Sequence, residues 1–106
     1  MTNSKIFYAV TARFPSERIA QEYIDWLESG HVEAVKRAGA ISGDIVVLDR
    51  NESDAAIRVE TLYVFGSRAE FKSYDNGPEA KKLRTDGMQR FGDRGVTFER
   101  RIGEII

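Results

Sequence analysis

The chain's single histidine, His31, sits inside the stretch DWLESGHVEAV (Asp25–Val35), directly after Gly30. An unperturbed imidazole titrates close to neutrality, so His31 could take and return a proton near pH 7 without large tuning. Two tyrosines, Tyr8 and Tyr63, stand in runs that read as strands, and their hydroxyls could hold a phenolate or carbonyl oxygen that gains charge. Trp26, five positions before His31, offers an aromatic wall, and Arg84 could reach a carboxylate or an anionic ring. The candidate roles follow: His31, Tyr8 and Tyr63 for catalysis, and Trp26 and Arg84 for ligand binding. Each residue also has a plainer explanation. His31 could be satisfied by a backbone carbonyl at a helix break, the tyrosines and Trp26 could be core filling, and Arg84 could be a solvated helix residue.

Other chemistries lack their residues. One histidine, no cysteine and no carboxylate pair at ligand spacing leave a metal site without ligands. No nucleophile elbow, phosphate-binding loop or dinucleotide fingerprint is present, and Ser29 is too near His31 in sequence to make a productive pair. No cofactor is expected, although His31 would be available as an axial ligand to a haem. The net charge is -1, with both signs mixed along the chain, so no basic field draws in nucleic acid or an anionic membrane. The first ten residues, MTNSKIFYAV, lack the basic segment and long apolar run of a signal peptide. No apolar run reaches the roughly 20 residues that span a bilayer. A cytoplasmic protein is the expectation.

The elements that must position these residues are legible from periodicity. Lys5–Phe14 alternates, with Ile6, Tyr8, Val10, Ala12 and Phe14 on one face and Phe7, Ala9, Thr11 and Arg13 on the other. The chain then switches to helical spacing. Ser16 suits an N-cap, Gly39 suits the position after the last turn, and Ala20, Tyr23 or Ile24, Leu27, His31, Ala34 or Val35 and Ala38 trace one stripe. Gly30 predicts a kink, or two helices end to end with Ser29 capping the second. DIVVLDR and IRVETLYVFG read as a hairpin closed by a turn at NESDAA. SRAE (Ser67–Glu70) is a capping box opening a short helix, and Asn76–Gly77–Pro78 ends that helix and starts another with the stripe Ala80, Leu83, Gly87 and Phe91. GVTFERRIGEII closes the chain as a strand.

The order βαββαβ predicts one α+β domain over 1–106, a ferredoxin-like four-stranded antiparallel sheet with helices on one face. RNA-recognition domains share this order. The third strand here, RVETLYVF, lacks their basic-glycine-aromatic motif, so no nucleic-acid partner is expected. The strands carry apolar residues on both faces: Phe7 and Tyr8, Val46 and Val47, Leu62 and Tyr63. The face without helices therefore calls for a partner, and a homodimer with two sheets face to face is expected. Arg13, Arg58, Glu60, Glu99 and Arg101 fall on alternating strand positions as edge and interface charges.

Four segments, FYAVTARF, YIDWLESGHVEAVKRAGA, LYVFGSRAEFKSY and LRTDGMQRFGDRGVTFERRIGE, resemble an uncharacterised family, a domain of unknown function of the dimeric α/β-barrel superfamily. The resemblance covers nearly the whole chain and implies a subunit whose sheets pair into a dimeric barrel. It also implies a ligand pocket between helices and sheet, where the stripe places His31. The superfamily includes cofactor-free monooxygenases, muconolactone isomerases, polyketide cyclases, haem-degrading enzymes and non-catalytic stress-induced proteins. Two function classes follow. One is a cofactor-independent isomerase-, cyclase- or monooxygenase-like enzyme for a small aromatic or enolisable molecule. The other is a non-catalytic dimeric domain that binds a metabolite or serves a stress response. Fold alone does not choose between them.

Overall fold

In the computed structural model, which describes residues 4–50 and 56–106, the alternation near the amino terminus becomes β1, Ile6–Phe14. Helix α1 (Glu17–Trp26) starts where expected, with the Ser16 hydroxyl accepting from the Ile19 amide at 3.3 Å. A widened turn over Leu27–His31 leads into α2 (Val32–Arg37). β2 (Ser42–Val47) and β3 (Ile57–Phe65) pair antiparallel, and the turn expected between them lies outside the described residues over 51–55. α3 (Arg68–Asp75) is capped by Ser67, α4 (Pro78–Phe91) has proline at its first position, and β4 (Thr97–Glu104) ends the fold.

The sheet order is β2-β3-β1-β4 with every neighbouring pair antiparallel. This is the split βαβ arrangement of a ferredoxin-like fold. Tyr8 lies directly opposite Tyr63, and Val10 lies between Thr61 and Arg100. Even positions of β1 and odd positions of β3 form the inner face. Ile6, Tyr8, Tyr63 and Phe65 pack with Val35 of α2, Phe71 and Tyr74 of α3, and Ala80 of α4. Ala12, Phe14 and Val59 pack with Ala20, Tyr23 and Leu27 of the first helical segment and with Phe91. All four helices thus cover one face. Arg94, just past α4, forks onto Glu22 of α1 at 3.0 and 2.9 Å.

Of the two alternatives expected at Gly30, one is corrected and the other is observed. Ser29 does not cap α2; its hydroxyl donates to the Asp25 carbonyl, and no side chain caps α2 at all. The kink expected at Gly30 is present: Gly30 stands at φ +150°, and a π-type turn forms across it in which the Val32 amide reaches the Leu27 carbonyl. A Cβ on Gly30 would meet nothing within 4 Å, so the backbone conformation requires glycine there and crowding does not.

The open face is less uniformly apolar than expected. Toward one end, Phe7, Ala9, Leu62 and Val64 form an apolar block. Toward the other, Thr11, Arg13, Arg58, Glu60, Glu99 and Arg101 surround a polar hollow of about 650 Å³. Glu60 is only 6% exposed and accepts from the Thr11 hydroxyl at 3.1 Å and from Arg101. The five charges assigned to this face therefore do share it, with Arg101 and Glu60 bridging β4 to β3 across β1.

Candidate functional site

Between the helices and the inner sheet face lies a cavity of about 240 Å³. Its lining includes all five residues singled out by the sequence, Tyr8, Trp26, His31, Tyr63 and Arg84. β1 and β3 supply the facing tyrosines, whose rings stack at 5.9 Å between centroids. α1 supplies Trp26 from its last turn, and the π-type turn swings His31 back so that its ring stacks on Trp26 at 4.1 Å. Without that turn, residues five apart on one helix would not lie one above the other. Gly87 of α4 gives the indole room, because a Cβ there would stand 3.3 Å from Trp26 Cη2.

The remaining lining was not anticipated. Tyr23 and Tyr74 complete the set, so all four tyrosines of the chain line one cavity. Tyr74 had a signal, lying one turn after Phe71 on the inner face of α3. Arg100 had one as well: it shares the inner face of β4 with Phe98, an unusual place for a charge. Asp75 had none, since its role depends on how the α3–α4 corner folds. Its carboxylate accepts from Arg84 Nη1 at 3.0 Å and from Arg100 Nη2 at 2.9 Å. Arg84 is therefore a cavity residue held in an ion-pair cluster and not a freely solvated one.

Burial sets the protonation states. It pushes the His31 imidazole down to about 4, opposed in part by the negative charge of Asp86, so the ring is neutral at pH 7. Burial raises Tyr8, with Arg100 and then Arg84 countering part of the rise. It raises Tyr23, Tyr63 and Tyr74 strongly, and the Thr61 hydroxyl offsets a little of the Tyr63 shift. Every phenol thus keeps its proton and is a hydrogen-bond donor. Among the described residues, two buried polar atoms of lining residues, His31 Nδ1 and the Tyr63 hydroxyl oxygen, have no hydrogen-bond partner of good geometry, although the Thr61 hydroxyl lies near enough to the phenol to lower its pKa. The Thr61 hydroxyl is turned to the Val10 carbonyl at 3.5 Å.

Among the described residues no group of three or more His, Cys, Asp or Glu could hold a metal ion. The charged groups on the wall are guanidiniums, which suit an organic anion or a carbonyl oxygen and repel a cation. No helix of the described residues is long and apolar enough to cross a membrane.

Two layers, the strand order and a cavity between helices and sheet define a ferredoxin-like α+β protein. The chain belongs to the family described as Domain of unknown function (DUF4286), whose profile matches residues 5–105. No curated protein matches the sequence. Among solved structures it is similar to a dimeric ferredoxin-like protein from an uncultured marine organism, at 17% identity and TM-score 0.69, covering 97% of this chain and 96% of that one. It is also similar to an ethyl tert-butyl ether D (EthD) family protein from Bacillus halodurans C-125, at 13% identity and TM-score 0.67, over 94% and 99% of the two chains. A protein from Shewanella loihica PV-4 with a provisional monooxygenase assignment aligns at 13% identity and TM-score 0.61, over 100% and 98%. At these identities the likeness is one of fold.

Proposed function

We propose that the chain is a cofactor-independent enzyme acting on a small, planar, aromatic or enolisable molecule held between helices and sheet. One observation carries the reading: His31 and Tyr63 line one cavity, and His31 Nδ1 and the Tyr63 hydroxyl are buried with no partner of good geometry among the described residues. A buried polar group without a partner costs about 1–3 kcal/mol. A ligand oxygen and an acidic C–H supply what the two groups lack.

In this reading His31, neutral at pH 7, takes a proton from carbon through a nitrogen lone pair and returns it to another atom of the ligand. Tyr63 and Tyr8 donate to the oxygen that becomes an enolate or phenolate. The indole of Trp26 covers the ring, and Arg84 adds positive charge at the wall. A base whose pKa is near 4 is weak, but a developing enolate beside it raises its affinity for the proton.

The test is the isomerisation of 3-cyclohexen-1-one to 2-cyclohexen-1-one, a proton moved from the α to the γ carbon, followed by ultraviolet absorbance. The wild type is expected to accelerate it and His31→Asn to lose at least 100-fold. Equal rates for both proteins would end the enzymatic reading. A second reading, a non-catalytic metabolite-binding or stress-response domain, is favoured by one feature: no acidic side chain is seen to hydrogen-bond His31 and orient it. Saturable binding without turnover would select it.

We further infer a homodimer through the open sheet face, with a second copy as occupant. The Phe7–Leu62–Val64 block supports it, as does the self-complementary mixture of Arg58 and Arg101 with Glu60 and Glu99. The dimeric state named for the similar marine protein is in keeping with it.

A further inference from the structure

We propose that the cavity selects single-ring carboxylic acids, with the ligand carboxylate taken by Arg84 of α4 and Arg100 of β4. This rests on the reading of the cavity as a ligand site and names the class of ligand.

The two arginines are held for such a task. Arg84 donates from Nη1 to Asp75 Oδ1 at 3.0 Å and from Nη2 to the Asp75 carbonyl at 3.1 Å. Arg100 donates from Nη2 to the same Oδ1 at 2.9 Å. One carboxylate thus fastens two guanidiniums, and the cluster keeps one positive charge uncompensated. Those bonds occupy two of the five N–H groups of Arg84 and one of the five of Arg100, and Arg84 also reaches the Tyr8 hydroxyl; the N–H groups that remain are donors for a second carboxylate. Asp75 is not part of the cavity wall, whereas both arginines are. Asp75 holds both guanidiniums at the rim of the cavity without lining it, so Asp75 is a positioning residue.

The surroundings set the rest of the ligand. The Arg100 guanidinium lies 5.1 Å from the centre of the Tyr8 ring, which joins the cationic wall to the aromatic one. Among the described residues no acidic side chain lines the cavity, and the one carboxylate beside the two arginines, Asp75, is outnumbered by them. A volume of about 240 Å³ falls below the roughly 300–1,000 Å³ of sites for drug-sized ligands and fits one substituted ring. One surplus positive charge matches a monoanion better than a phosphate dianion.

Trp26 is the only tryptophan and part of the wall, so its fluorescence reports directly on the cavity. The experiment titrates the full chain with benzoate and with benzamide, which share size and shape but not charge. Benzoate is expected to saturate the signal at a concentration at least tenfold lower than benzamide. Arg100→Gln is expected to lose at least tenfold on benzoate with benzamide unchanged, and Arg100→Lys to recover part of the loss. Benzamide binding as tightly as benzoate to the wild type would overturn the carboxylate assignment while leaving the cavity a ligand site, a result that needs no variant. If neither probe moves the Trp26 signal, the cavity reading falls and this assignment with it.

Discussion

His31 is the residue on which most of the chemistry turns, and its environment makes a prediction of its own. The folded ring titrates at about 4 against 6.5 in the open chain. Between those values the unfolded chain binds a proton that the folded chain refuses. Stability is therefore full above pH 6.5 and falls as the pH drops toward 4, by on the order of 2–3 kcal/mol from this group. Urea unfolding at a series of pH values should show that decline, and His31→Gln should flatten it; an unchanged slope would mean that the ring is not desolvated. Tyr63 gives the complementary case. Its hydroxyl is buried with no well-aligned partner among the described residues, so Tyr63→Phe should stabilise the empty protein by up to about 1 kcal/mol while weakening binding of a ring that carries an oxygen. A loss of stability instead would show that the hydroxyl is already satisfied. Such pairs of effects, with stability and binding moving in opposite directions, mark a site built for something else to fill.

At the scale of elements, the π-type turn between α1 and α2 is what brings His31 onto Trp26. Gly30→Ala places a Cβ at φ +150°, a backbone region that side chains avoid, and should cost about 1–3 kcal/mol by denaturant unfolding. Retention of full stability would mean that the turn relaxes to a regular helix. Strand faces and the helix stripe were legible in the sequence because alternation and 3.6-residue spacing assign each side chain to a side. Spacing alone therefore puts Tyr8, His31 and Tyr63 in one layer, and Trp26 joins them through the turn at Gly30. What the spacing does not carry is the kind of turn at Gly30, since a capped second helix and a π-type turn need the same glycine. Nor does it carry the Arg84–Asp75–Arg100 cluster, which forms only when the α3–α4 corner meets the edge strand β4.

For the whole molecule, βαββαβ order was readable because each segment has one clear period, and the observed strand order agrees with it. The open face was read as apolar from residues such as Phe7 and Leu62. Its charged half emerged only from the register, which stacks Thr11, Glu60 and Glu99 in one row across three strands. A face that is half apolar and half self-complementary in charge suits pairing with a copy of itself. Sedimentation velocity at micromolar concentration should give twice the 12.0 kDa chain mass, and Leu62→Glu should return it to one chain. A wild-type species of one chain would remove the dimer from the account.

The central claim is that the cavity is a ligand site completed by the ligand's own hydrogen bonds. A crystal structure of the protein with bound phenol tests it most directly. The ring is expected beside Trp26, with its oxygen about 2.5–3.2 Å from the Tyr63 hydroxyl or from His31 Nδ1. Phenol absent from the cavity, with Tyr63 and His31 bonded instead to protein groups that close it, would contradict the claim.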